Sequence, residues 1–458
     1  MHRILPLLLL AACANPPALD GPFTPDASTG GCGLPDYTWA PMPGMGEVID
    51  WQYADSLSYD KATLQTVLRQ GGITAFQPKY GVRVYYVRYR TQDHGQPVEA
   101  TGFVSFPDVD TQQVFPTVLW LHGTSGFNDD CAPTAQGLAG AAGNLILSSQ
   151  GLVVAAPDYL GMAGWGEPSG MLHPWVVPEP TAIASLDSLR ALWQFSDQRL
   201  DPPNHAVAEH RYVIWGASEG GAATLWADRY AMHYLPGAEE VAAVAAVPPT
   251  DLLGIAKHAT SHFESATAAA AALLVSQHDW YQGTAPLTDV LQPDIASALP
   301  DAMRNSCGDG GVFDGLTSAD QIFTSDVLSA AQSGQVDTLQ PWGCYLQQGT
   351  LHDTTIPRGQ DAPVLFIVSQ NDDLVVADVE RADVPVLCDQ GYTLDYLECA
   401  GVQHAEGAAL SLPYQLTWLQ DRLAGVPLPS DTCTVRAPVD CSQFGLTGHG
   451  SGMRSKTR

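Results

Sequence analysis
Residues 212–227 read YVIWGASEGGAATLWA. Residues 212–215 are aromatic and β-branched, the composition of a buried strand. From Ala222 the stretch turns alanine-rich and suits a helix. Ser218 falls at the join, with Gly216 two residues before it and Gly220 two after. A serine held on a sharp strand-to-helix turn has strained backbone angles, and side chains two residues to either side would collide. Glycine removes that collision. The helix start behind the serine favours developing negative charge. Gly-x-Ser-x-Gly between a strand and a helix is the pattern of a nucleophile elbow. The competing reading is a plain turn that happens to contain a serine, and it gives the two glycines no common reason.

The flanking chain has the rhythm such an elbow needs. VRVYYVRYRT (82–91) and VEATGFVSFP (98–107) read as strands joined by a hairpin-like turn, QDHGQP. Strand patterns recur at TVLWLHG (117–123), GLVVAAPDY (151–159), VAAVAAVPP (241–249), APVLFIVSQ (362–370) and YTLDYLE (392–398). Helical patterns lie at TAIASLDSLRALWQFS (181–196) and LPYQLTWLQDRLAG (412–425). Continuous apolar strands alternating with helices predict an α/β fold, with a mostly parallel central sheet flanked by helices. Residues 250–360 break the alternation with short helical stretches and are expected to form an inserted helical cap. The core is then split into residues 38–249 and 361–433, with a tail at 434–458. Within the cap, ATAAAAALLV (266–275) reads as a buried helix in preference to a lid that meets lipid.

An elbow serine needs a base and an orienting acid, which follow it along the chain as Asp and then His. VLFIVSQNDDLVV places Asp372 and Asp373 just past a late strand; Asp372 is preferred, and Asp373 stays open. The plainer reading is that both cap the next helix. His404 follows the last strand in YTLDYLECAGVQHAEG, where the base belongs. His352 and His449, its competitors, lie in the expected cap and tail. An oxyanion would be held by the backbone N–H of Glu219, the residue after the nucleophile, and by that of Thr124 in His122-Gly123-Thr124. Trp165 and Trp175 either line the pocket or pack as ordinary loop residues.

These residues carry a resemblance. From about residue 80 to 433 the chain resembles an α/β-hydrolase of the secretory lipase family. The matching pieces are YRTQDHGQPVEATGFVSFP, HGTSG followed by Cys131-Ala132-Pro133, APDYLG (156–161), GASEGG, DDLVV, His404 and the closing WLQDRLAGVP before Cys433. The resemblance implies hydrolysis of a small-molecule ester or lipid, with a cap over the acyl pocket. The chain departs from the pattern at Glu219, where a small or neutral residue is more usual, and in the tail beyond Cys433, which has no counterpart. Two other readings compete with it. A peptidase of the prolyl-oligopeptidase type wants a propeller domain, for which there is no space. A non-catalytic binding lipoprotein does not account for a Ser-Asp-His set in order.

Composition bounds the partners. The chain has 458 residues, 20 basic and 49 acidic, for a net charge of −29, so it should repel nucleic acid and anionic membrane surfaces. MHRILPLLLLAACANPP opens with one arginine and a short apolar run, the size of a signal-peptide core and too short for a mature span. Its Leu-Ala-Ala-Cys ending resembles a bacterial lipoprotein cleavage box and predicts a lipoprotein signal over residues 1–13, with Cys13 lipidated and residues 14–37 as a tether, in preference to an ordinary signal peptide cut nearby. Membrane contact is expected only through that anchor, and location in the cell envelope or outside the cell. Oligomeric state is not readable.

Nine cysteines less Cys13 leave an even number, suited to disulfides in an oxidising compartment. A strand of about 23 Å separates Cys388 from Cys399, so these two are not partners. Cys131 is expected to pair with Cys307 or Cys344, and Cys388 with Cys433 or Cys441. His258 and His262 sit four apart without a third ligand, and CGDGGVFDG (307–315) lacks the spacing of a calcium loop, so no metal is expected. The proposed chemistry needs no organic cofactor.

Overall fold
The computed structural model describes residues 32–34, 43–73, 76–359 and 361–445. Cys13 and His449 lie outside the described residues. The strands are β1 (Val48–Tyr53), β2 (Gly81–Asp93), β3 (Gln96–Asp108), β4 (Gln113–Leu121), β5 (Val153–Pro157), β6 (Ala206–Ala217), β7 (Glu239–Ala246), β8 (Val364–Ser369) and β9 (Leu394–Cys399). They form one sheet in the order β1-β2-β3-β5-β4-β6-β7-β8-β9. β1, β2, β3 and β5 pair antiparallel; the pairs from β5 through β4, β6, β7 and β8 to β9 are parallel. Every residue of β5, β8 and β9 is buried; β5 and β8 accordingly read as almost wholly apolar runs and not as alternation, while β9 buries Asp395 and Glu398 as well.

The β2–β3 hairpin turns on His94 and Gly95, both at positive φ (47° and 68°), as a two-residue turn compatible with strand twist demands. β1 was not foreseen. It is a partly exposed edge strand with only alternate residues covered, so its local signal is weak.

Helices cover both faces. Pro178–Asp197, Glu219–Tyr234 and Ala377–Asp389 bury their apolar sides against one face of the sheet. Ala142–Ser149 and His404–Leu423 cover the other. The last helix begins eight residues before the pattern at 412 suggested, because Pro413, which resembles a helix start, sits inside it. Between β7 and β8 the chain is helical: Leu252–Ser261, Ser265–Trp280, Pro293–Asn305, Ser325–Ser333 and Trp342–Gly349 pack on one another around a second apolar cluster. The alanine-rich segment falls in Ser265–Trp280, with residues 270–275 buried.

Four disulfides join Cys32 to Cys344, Cys131 to Cys307, Cys388 to Cys433 and Cys399 to Cys441. Cys131 takes Cys307 and not Cys344, and Cys388 takes Cys433 and not Cys441. Cys399 and Cys32 had no assigned partner; Cys32, inside the expected tether, is stapled to the end of the helical stretch. The tail after Cys433 returns to the sheet edge. The Val439 amide donates to the Glu398 carbonyl at 2.8 Å, and the Ala400 amide donates to that of Val439 at 2.8 Å. The last two bridges close separations of 45 and 42 residues, worth about 4 kcal/mol each on a chain-entropy basis.

Candidate active site
β6 ends at Ala217, and the helix Glu219–Tyr234 begins immediately after Ser218, which sits at φ 59° and ψ −122°. For an L-residue this is a strained conformation. It is held because the Ser218 amide donates to the Ala246 carbonyl at 2.9 Å, locking the turn to the end of β7. The two glycines have separate duties. A Cβ on Gly216 would overlap the Gly220 carbonyl, and one on Gly220 would overlap the Leu121 carbonyl where β4 ends.

His404 is the first residue of its helix, after a capping box in which Gln403 and Glu406 satisfy each other's backbone groups. That Gln-x-x-Glu spacing was the sequence signal for the true helix start. His404 Nε2 lies 2.7 Å from Ser218 Oγ, and His404 Nδ1 lies 2.7 Å from Asp372 Oδ2. The Asp372 side chain is 1% exposed. Its other oxygen accepts the amides of Leu374 (3.0 Å) and Val375 (2.8 Å). Asp373 turns away, and its carboxylate accepts a hydrogen bond from Ser265 Oγ at 2.8 Å. Of the two aspartates, only Asp372 is brought to the histidine.

Gly123 and Thr124 follow β4 and face the serine. A Cβ on Gly123 would lie 3.1 Å from the Ala217 carbonyl and 3.5 Å from the Ser218 Cβ. Trp175 Nε1 donates to Thr124 Oγ1 at 2.9 Å. Glu219 is 2% exposed, and its Oε1 lies 2.7 Å from His173 Nε2. Burial pushes the Glu219 carboxyl up, but the charge of His173 and the hydrogen bond to it prevail and hold it below the usual carboxylate range. His173 was not singled out from the sequence; it lies 46 residues before its partner, and no local pattern marks it.

Ser218 and His404 open into a cavity of about 660 Å³. Trp120, Trp215, Ala405, Ala408, Leu412, Phe127, Trp175, Ala269, Leu299 and Met303 are among the residues that line it. Such a space suits an apolar ligand with few polar anchors. Trp175 is therefore at the cavity, whereas Trp165 stacks on Tyr86 at 5.9 Å. His352 lies 2.7 Å from Asp383, remote from the serine. His258 and His262 stack on each other, and His258 pairs with Glu264. Among the described residues, no group of three or more His, Cys, Asp or Glu is placed to hold a metal ion.

Sheet order, elbow and pocket define an α/β-hydrolase. Solved structures agree on the fold: the rice cell wall degrading esterase LipA from Xanthomonas oryzae superposes with a TM-score of 0.66 at 20% identity, covering 84% of this chain and 97% of that one. The chain belongs to the secretory lipase family, whose model matches residues 144–431, and with it to the hydrolases of carboxylic esters. Two curated relatives span most of its length. Lipase A of Arthroderma benhamiae is 25% identical, covering 84% of this chain and 81% of its own. A probable inactive lipase of Mycobacterium tuberculosis is 26% identical, covering 82% of each. Membership of a secretory family, with four disulfides, marks an exported protein. No helix among the described residues is long and apolar enough to cross a membrane.

Proposed function
We propose that the chain hydrolyses esters of apolar acyl groups through an acyl-enzyme on Ser218. The observation that carries this reading is the pair of 2.7 Å contacts running from Ser218 through His404 to Asp372. His404 removes the serine proton as Oγ attacks the ester carbonyl, then returns it to the leaving alcohol. Asp372 holds the imidazole tautomer and stabilises the imidazolium. The amides of Glu219 and Thr124 receive the oxyanion, each worth about 3 kcal/mol. Water then attacks the acyl-enzyme, and His404 repeats its role. The cavity lining favours an apolar acyl chain, and the helical stretch between β7 and β8 acts as a cap over it.

A non-catalytic reading is what the name of the Mycobacterium tuberculosis relative offers. The close Ser218–His404–Asp372 approach counts against it here. The two readings separate on p-nitrophenyl esters from acetate to palmitate. Under the proposal the wild type cleaves them, Asp372→Asn lowers kcat by about 10⁴, and Asp373→Asn stays within about threefold, because its carboxylate is turned from His404 to Ser265. Equal rates for Asp372→Asn and wild type would overturn the assignment; a wild type inert on every ester would overturn the function.

The anchor is a separate proposal: Cys13 becomes the lipidated first residue, and lipid holds the protein at the cell envelope. Cys13→Ser is then expected to move the protein from the membrane fraction to the soluble fraction. An unchanged distribution, with no labelled fatty acid on the wild type, would refute it.

A further inference from the structure
We propose that His173 is a positioning residue that neutralises the Glu219 carboxylate and ties it to the two backbone amides that receive the oxyanion. This rests on the reading of Ser218 as nucleophile. Glu219 follows the nucleophile directly, and its side chain is 1% exposed. A bare buried carboxylate at that place would repel the negative charge that builds on the substrate, and its burial weakens the screening of that repulsion. His173 supplies the remedy. Its side chain is fully buried, and its Nδ1 lies 2.7 Å from the Leu160 carbonyl, which can only accept, so Nδ1 carries a hydrogen. Its Nε2 faces Glu219 Oε1 at 2.7 Å. In the proposed pairing Glu219 is ionised and Nε2 donates to it as well, which makes the ring an imidazolium. The other titratable groups facing Glu219 are His122 from the loop after β4 and Tyr159 from the loop after β5; His404 lies across Ser218.

The same histidine reaches the other oxyanion donor through its own segment. Ser276 Oγ donates to the His173 carbonyl at 2.6 Å and accepts the Trp175 amide at 2.7 Å. The Trp175 indole N–H then donates to Thr124 Oγ1. The His173 amide donates to the Phe127 carbonyl at 3.0 Å, in the same loop as Thr124. Residues 173–175 thus brace Glu219 from behind and Thr124 from the side.

The test is a mutant cycle on p-nitrophenyl butyrate from pH 5 to 9. His173→Gln strands the carboxylate, and kcat is expected to fall about 100-fold at pH 8, with KM shifting less than about threefold. Adding Glu219→Gln to His173→Gln removes the stranded charge and should recover at least tenfold. The ratio of the His173→Gln rate to that of the double variant should climb toward one as pH falls, because the stranded carboxyl protonates while pH effects common to both variants cancel. Independent losses with a pH-independent ratio would overturn the proposal. Should His173→Gln fail to fold, nitrogen NMR of labelled histidine in the wild type decides. Both His173 ring nitrogens are expected to be protonated at pH 8, with the signal assigned by its loss in Glu219→Gln; a neutral ring would overturn the pairing. A wild type without esterase activity would refute the Ser218 reading instead, and the NMR result would still stand on its own.

Discussion

Ser218→Ala is expected to lower kcat on p-nitrophenyl butyrate by about 10⁶ while leaving the fold intact. The substitution removes one oxygen, and that oxygen is the one 2.7 Å from His404 Nε2. Nothing replaces it as nucleophile, so His404 and Asp372 lose their purpose together, and further loss of either should add little. The backbone at φ 59° stays as it is, because alanine keeps the Cβ and the amide bond to the Ala246 carbonyl does not involve the side chain. The melting temperature should therefore hold or rise slightly, as it does when a strained functional site is relieved of its polar group. A faint residual rate from the oxyanion amides and substrate binding is expected. Retention of more than about 1% of wild-type kcat by a folded variant, an excess of about 10⁴ over the expected value, would refute Ser218 as nucleophile.

Gly220→Ala is expected to damage stability and catalysis at once. The added methyl would strike the Leu121 carbonyl and come within 2.6 Å of the His122 carbonyl, where Cβ atoms keep at least 3.0 Å from their neighbours. Those carbonyls belong to the end of β4 and to the loop that carries Gly123 and Thr124. The helix must back away from the strand or push the loop, and either movement separates the amides of residues 124 and 219. A cost of about 3 kcal/mol is expected, with kcat down by at least about 100-fold, the loss from one misplaced donor. Gly216→Ala should be comparable, since its methyl would overlap the Gly220 carbonyl and reach 2.8 Å from Thr224 Oγ1. Gly221→Ala supplies the graded control, with its nearest contact at 2.8 Å from the Ala246 carbonyl. Thermal melts and kcat across the three should rank Gly221 mildest; a Gly220→Ala protein as stable and active as wild type would show that the elbow is not sterically required.

What was legible in the sequence was local. The elbow is written within five residues, although only one of its clashes is local: a Cβ on Gly216 meets the Gly220 carbonyl, whereas one on Gly220 meets the Leu121 carbonyl at the end of β4. β5 and β8 announce themselves because burial on both faces keeps them almost wholly apolar. What was not legible depended on distant partners. Asp372 and Asp373 are chemically identical neighbours, and only the turn that feeds the amides of Leu374 and Val375 into one of them decides which faces His404. Cys32 hides in a stretch rich in proline, glycine and aspartate, while its partner lies 312 residues away. Glu219 looked anomalous because its explanation, His173, comes from a loop on the far side of β6 in the chain.

The bond between Cys131 and Cys307 has a consequence for how substrate gets in. Cys131 follows the loop that bears Thr124 and Phe127, and Cys307 follows the helix Pro293–Asn305, which brings Leu299 and Met303 to the cavity. Asn128 adds a second strap, its side-chain amide donating to the carbonyls of Met303 and Ser306 at 3.0 and 2.9 Å. Those two walls are hinged shut on each other like the spine of a book, with the Cα atoms of the cysteines 5.3 Å apart. With that pair tied, the helix Pro293–Asn305 cannot swing away from the loop that bears Thr124 unless the bond is reduced. Folding in an oxidising compartment therefore does more than toughen the molecule: it fixes the spacing of two segments that line the cavity beside Ser218.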